Sequence, residues 1–307
     1  MTNVVWLASY PKSGNTWLRI LLGCLSLRED EAVDINKLPE RDGMASERAP
    51  FDFHLLIDSG LLTHDEIDCL RPRLYELLAD EPLAGNATQT AQPVRFVKAH
   101  DAYTMTPNGE PLLAGRRGAN GAIVIVRDPR DIAPSLAHHT HRTIDAAIGF
   151  MNNLDASFCG QSDRQDSQLR QKLPGWSGHI AGWLEQRDIP VHLLRYEDLK
   201  KDTAGAVMEA LSFSGWPVER ERVERAVPLA AFDGLQTQER AAGFGEWLAR
   251  GASGKLFFRR GESGGWRGEL TAEQVARIES AHGAMMLRLG YELTTGRQSA
   301  SDVGRRA

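Results

Sequence analysis

The chain opens on a strand–loop–helix unit, and that unit limits the folds open to it. Residues 4–8, Val-Val-Trp-Leu-Ala, form an uncharged apolar run that starts almost at residue 1. Turn formers follow at once, Tyr10-Pro11-Lys12-Ser13-Gly14-Asn15, and then an apolar stretch from Thr16 to Leu22. A short run that does not alternate apolar with polar reads as a strand buried on both faces, which requires helices above and below a mostly parallel sheet. The same signature recurs downstream. Ala122–Val126 is β-branched and uncharged, bounded by Gly121 and by Arg127-Asp128. Residues 94–98 and 191–196 read as two further strands. Asp128-Pro129 places an N-cap before a proline at the first helical position, so a helix should run past Ser135. Thr63 with Glu66 reads as a capping box for a helix to about Leu78.

The rest of the chain alternates in the same sense. Residues 143–158, 176–188, 203–214, 219–229 and 272–289 read as helices. Residues 33–60 read mostly as loop, 80–93 as a surface connection and 160–174 as a polar loop. Residues 243–268 carry many glycines and basic–aromatic clusters and read as a functional loop. Alternating strands and helices, with no internal repeat and no interdomain linker, predict an α/β single domain with a central parallel sheet flanked by helices. The domain should span 1–294, leaving 295–307 as a small polar tail.

Composition excludes several functions. The net charge is −5, so the chain as a whole does not suit nucleic acid, and any anion site must be built locally. Cys24, Cys69 and Cys159 form no C-x-x-C pair, which argues against a disulfide frame or a zinc site. No stretch approaches the roughly 18 apolar residues of a membrane span, and the N-terminus lacks a leader pattern, so a cytoplasmic protein is expected. The Ala-, Arg- and Gly-rich composition is associated with bacterial, high-GC sources.

The first loop supplies the chemistry for an anion site. The first N–H groups of a helix have no internal partners and its dipole is positive there. Gly14 permits close backbone approach, Lys12 brings a full charge, and Ser13 and Thr16 bring hydroxyls. The loop is not G-x-x-x-x-G-K-[ST], because its lysine precedes the glycine and no glycine stands upstream at that spacing.

From Tyr10 to Trp17 this loop resembles the 5′-phosphosulfate loop of cytosolic-type sulfotransferases that use 3′-phosphoadenosine 5′-phosphosulfate (PAPS), with Asn15 a departure from the usual residue. Four further segments resemble that family in the expected order. Lys98-Ala99-His100 matches a K-x-H segment, which implies that His100 is the catalytic base and that Lys98 steadies the sulfuryl oxygens. Arg127 to Ser135 implies 3′-phosphate binding by Arg127 and Ser135, with Ser135 also restraining Lys12. Tyr196 is implied to lie near the nucleotide. Arg259-Arg260-Gly261 through Trp266 resembles an R-K-G-x-x-G-D-W loop, with Arg260 and Gly265 as substitutions. Trp17 and Phe232 match residues that sandwich the adenine. The cofactor-binding set is thus Lys12, Ser13, Gly14, Asn15, Thr16, Trp17, Arg127, Ser135, Tyr196, Phe232, Arg259, Arg260 and Gly261. The catalytic set is Lys12, Lys98, His100 and Ser135.

The resemblance implies the P-loop-like sulfotransferase fold and in-line sulfuryl transfer to an acceptor hydroxyl, with Lys12 neutralising the leaving oxygen and no metal required. His138, His139 and His141 are read as lying near the acceptor or on a solvated face, since no third ligand with metal spacing accompanies them. The acceptor stays open between a small molecule, a glycan and a natural product, and segments 28–60, 155–175 and 236–256 are where it should be recognised. The family's dimer motif aligns with Arg267–Ala276, where Thr271 is kept and Arg267 is similar, so oligomeric state stays open. Two other readings are weighed. A nucleotide or small-molecule kinase of related fold would need the glycine pattern that is absent here, although Ser13 does follow Lys12. A non-catalytic nucleotide-binding module would lack Lys12 or His100.

Overall fold

The computed structural model describes residues 3–27, 33–38, 43–81, 94–161, 166–247 and 255–294. The four long strands are β1 (Val4–Ser9), β2 (Arg95–Ala99), β3 (Gly121–Val126) and β6 (Val191–Arg195). They form one parallel sheet in the order β2-β1-β3-β6. β4 (Ser157–Phe158) and β5 (Gln171–Lys172) make a small antiparallel pair beside it. Around the sheet lie α1 (Asn15–Ser26), α2 (Arg48–Leu55), α3 (His64–Asp80), α4 (Pro129–Thr140), α5 (Ile144–Asn152) and α6 (Gly175–Glu185). The remaining helices are α7 (Tyr196–Lys201), α8 (Thr203–Ser214), α9 (Arg220–Leu229), α10 (Phe232–Ala242) and α11 (Ala272–Arg288).

Strand periodicity divides the core in two. On β1, Val4, Trp6 and Ala8 enter one apolar cluster while Val5 and Leu7 enter the other. On β3, Ala122, Val124 and Val126 part from Ile123 and Ile125 in the same way. Every residue of both strands is buried, as their apolar runs require. Helix α1 packs Leu18, Ile20 and Leu21 into the second cluster, whereas α4 packs Ile132, Ala133 and Leu136 into the first. The connections leaving β1 and β3, which are neighbours, therefore depart to opposite faces. A crevice opens between them at the C-terminal edge of the sheet, the place where open α/β sheets bind ligands.

Both anticipated cap signals are present. Asp128 accepts from the Arg130 N–H ahead of Pro129, and Thr63 and Glu66 form a capping box on α3. Several expectations need correction. Helix α5 ends at Asn152 rather than near 158, because β4 pairs with β5 inside the stretch read as polar loop. Residues 33–60 contain α2, and α7 and α10 were not anticipated. Residues 82–93 of the expected surface connection, and the tail from Thr295, lie outside the described residues.

Candidate active site

Four strand ends build the site. The loop after β1 turns back through two left-handed residues, Lys12 at φ 71° and Gly14 at φ 107°. Asn15 ties it down: its buried Nδ2 donates to the Leu7 carbonyl (2.8 Å) and to Ser9 Oγ (3.0 Å). Asn15 is thus a brace between the end of β1 and the start of α1. A Cβ on Gly14 would lie 2.6 Å from the Tyr196 ring, in a backbone conformation that L side chains rarely adopt. Gly14→Ala is accordingly expected to cost roughly 1–3 kcal/mol of stability, checked by urea unfolding.

The end of β2 supplies Lys98 and His100. His100 Nδ1 lies 2.8 Å from the Ser9 carbonyl oxygen. A carbonyl only accepts, so Nδ1 carries the proton and Nε2 is left as a free base. Burial, reinforced by Lys98, pushes the imidazole pKa well below its ordinary value, and the ring is neutral at physiological pH. Lys98 is buried and ion-paired with Glu246 at 3.3 Å. Glu246 in turn takes two hydrogen bonds from Arg19 Nη1, at 2.8 and 3.0 Å.

The end of β3 supplies Arg127. Its guanidinium lies over the Tyr196 ring (4.4 Å) and donates to the Lys12 and Glu262 carbonyls. Tyr196 itself begins at the end of β6. Arg259 and Arg260 both reach Glu269, Arg259 with two nitrogens. Gly261, at φ 65°, leaves its backbone against the Phe232 ring, where a Cβ would come within 2.5 Å. Trp17 Nε1 donates to the Ala230 carbonyl (3.0 Å), and its ring meets Tyr196 edge-on.

These groups surround a cavity of about 510 Å³. Every site residue read from the sequence lines it except Ser13, which is fully buried beneath the loop. Lys12 Nζ sits 3.7 Å above the Phe257 ring. Among the described residues no hydrogen bond joins Lys12 to Ser135, although Ser135 lines the same cavity. Burial first, then the nearby charges of Lys98, Arg127 and Arg259, brings the Lys12 pKa down to about 7. The lining also holds Phe257, and with it Glu246, Gln168, Gln171 and Met44, four residues that did not stand out in the sequence. The three α4 histidines diverge. His138 and His141 stack on Trp247, while His139, one turn past Ser135, lines the cavity. Among the described residues no three His, Cys, Asp or Glu side chains converge as metal ligands would.

The family profile for the sulfotransferase domain matches residues 2–290. The chain belongs to the sulfotransferase family. The sulfotransferase is 27% identical over 289 residues to flavonol 3-sulfotransferase of Flaveria bidentis, covering 90% of this chain and 80% of that one. It is 25% identical over 280 residues to luciferin sulfotransferase of Photinus pyralis, covering 89% and 68%. Its fold is similar to that of a mouse sulfotransferase, SULT7A1, solved with PAP (TM-score 0.57, 19% identity, 99% of this chain and 89% of the other). It is similar also to a retinol dehydratase solved with androsterone and the inactive cofactor PAP (TM-score 0.54, 20% identity, 92% and 80%). No helix among the described residues of the sulfotransferase is long and apolar enough to cross a membrane.

Proposed function

We propose that this protein transfers a sulfuryl group from PAPS to a hydroxyl of a small-molecule acceptor, with Nε2 of His100 as the general base. The observation that carries the reading is the shared cavity. A neutral imidazole with its tautomer fixed by Ser9 opens onto the same space as a buried lysine and three arginines. That two structural neighbours were solved with PAP, and that curated relatives are named for luciferin and a flavonol, supports it.

The residues suit the nucleotide. Arg127, which lines the cavity, has a buried Nε without a partner among the described residues, and an anion would use such a donor. Gly14 and Gly261 let the backbone pack against the Tyr196 and Phe232 rings, which also line the cavity. PAPS, when bound, supplies the activated sulfuryl group and leaves adenosine 3′,5′-bisphosphate (PAP). Lys12, with the N–H groups at the start of α1, holds positive charge for the 5′ end and the leaving oxygen. Arg127, Ser135, Arg259, Arg260 and Gly261 take the 3′-phosphate, where guanidinium forks are apt. Trp17 and Phe232 take the base, and Tyr196 backs the loop. Lys98, exchanged from Glu246, faces the sulfuryl oxygens, and His100 removes the acceptor proton.

The test is calorimetry with PAP, without metal, on the wild type and on Arg259→Ala/Arg260→Ala. Binding weakened by about 1.5–3 kcal/mol per lost charged hydrogen bond supports the site, and tighter binding of ATP with magnesium overturns it in favour of a kinase. The lysine adds a second expectation. Its pKa of about 7 must rise when anions are bound, so the complex takes up a proton and PAP affinity falls about tenfold per unit as pH climbs above 7. The phosphates themselves are already ionised there and do not mask the slope. Titrations in two buffers of different ionisation enthalpy measure the uptake directly; a flat profile from pH 7 to 9 would show that Lys12 already carries its charge before the anion binds.

A further inference from the structure

The end of the cavity away from the arginines has a different character. Gln171 on β5 is only 1% exposed, yet its Oε1 has no partner among the described residues. Its Nε2 donates to Gln168 Oε1 at 2.7 Å, and both residues line the cavity beside Met44 and Phe158. Backbone pairing fixes this wall to β2, the strand that leads into His100. Met44 bridges to Lys98, Glu47 bridges to Gln168, the Leu169 N–H donates to the Ser46 carbonyl, and Phe158 pairs with Gln171. Opposite in kind to the nucleotide end, these four wall residues bring no charge. His139 extends this polar surface from α4. Its Nδ1 is buried and unpartnered among the described residues, and burial, with Lys12 and Lys98, pushes its pKa down to about 3, so it too is neutral.

A buried amide with an unused hydrogen-bonding end is costly in a finished interior and suits a site whose ligand supplies the missing group. If both glutamine amides are reversed, the orphan becomes an N–H instead of a C=O. A hydroxyl satisfies either, because it both donates and accepts. We propose that the acceptor is an uncharged polyol, which presents one hydroxyl to His100 and a further, unreacting hydroxyl to the Gln168–Gln171 pair and His139. This rests on the reading of His100 as base of a PAPS-dependent transfer. A simple phenol has no group left for the amides, and Met44, Phe158, Gln168 and Gln171 bring no charge of their own for an anionic acceptor.

The experiment first measures PAP binding to the wild type; its absence would defeat the PAPS reading itself, separately from this proposal. With PAP binding established, sulfation from PAPS is measured for the methyl glycosides of glucose, galactose and mannose and for myo-inositol, against phenol, 4-nitrophenol and cyclohexanol. At least one polyol is expected to exceed the mono-hydroxyl compounds in kcat/KM. Monodeoxy analogues of that polyol should reveal an unreacting hydroxyl whose loss costs the wild type about tenfold or more. The same deletion should cost little in Gln171→Leu, and His139→Phe provides an independent variant, with PAP affinity as the folding control for each. Preference for the phenols, equal deoxy penalties in wild type and variants, or no turnover of any polyol by PAP-binding protein would each overturn the proposal.

Discussion

Replacing His100 with alanine is expected to lower kcat by about 10²–10⁴-fold, the range that a positioned general base contributes. PAP affinity should be nearly unchanged, because the imidazole is neutral and adds no charge to the anion site. The wild-type pH profile carries a sharper signature. Burial and Lys98 hold the His100 pKa well below 6.5, and a base acts only when unprotonated. The acid limb of kcat/KM should therefore lie below pH 6.5 rather than at it, read from initial rates across pH 4.5–8. The Ser9 backbone carbonyl orients the ring, so Ser9→Ala should retain the tautomer, while the Asn15 brace loses its Ser9 Oγ acceptor. A His100→Ala variant with more than a tenth of wild-type kcat would exclude this base.

The second large effect is on stability and lies behind the catalytic strand. Arg71 on α3 is fully buried, with Nη2 2.6 Å from Asp101 Oδ2 and Nη1 on the Arg170 carbonyl. Its Nε donates to Tyr75 Oη, which donates onward to the Ala45 carbonyl. Asp101 follows His100 directly, accepts from the Lys172 N–H and passes its own carbonyl to Trp183 Nε1. Arg71→Ala would leave the fully buried Asp101 carboxylate without its countercharge. Breaking a buried pair from one side costs about 3–5 kcal/mol, so a loss of that size is expected in urea unfolding. The His100 end of β2 should loosen with it, so kcat should fall even where the variant remains folded. A loss below about 1 kcal/mol would show that water reaches Asp101 and replaces the arginine.

The sequence made the sheet and the anion loop legible for identifiable reasons. β1 and β3 are uninterrupted apolar runs because both faces are buried, and the Asp128-Pro129 and Thr63/Glu66 signals are local, carried by side chains within three residues of the groups they cap. Helix α2 was hidden because only Phe51 of its eight residues is buried, which leaves no apolar stripe to read. In α10 only Leu235 and Glu239 are buried, one of them a charge, with the same result. The site was legible where its residues follow strand ends, as Lys12, His100, Arg127 and Tyr196 do. Glu246 was not, since its tie to Lys98 spans 148 positions and nothing local marks it. Gln171 escaped for a related reason: its orphaned oxygen exists only once β5 is folded beneath the cavity.

The Lys98–Glu246 contact has a consequence for discrimination between anions. A pocket that gathers this many cations would ordinarily draw whatever small oxyanion surrounds it. Here one of those cations already carries a carboxylate bound to the same chain, held from behind by Arg19. A tethered group competes at a high effective concentration. Free phosphate or sulfate reaching Lys98 must displace it with few contacts of its own to compensate. A ligand that also engages the β1 loop, Arg127 and the Arg259–Gly261 turn brings enough additional contacts to do so. On the proposed reading of the site, Glu246 would act as a resident counter-ion that screens the pocket from bystander salts and yields to a ligand long enough to span it.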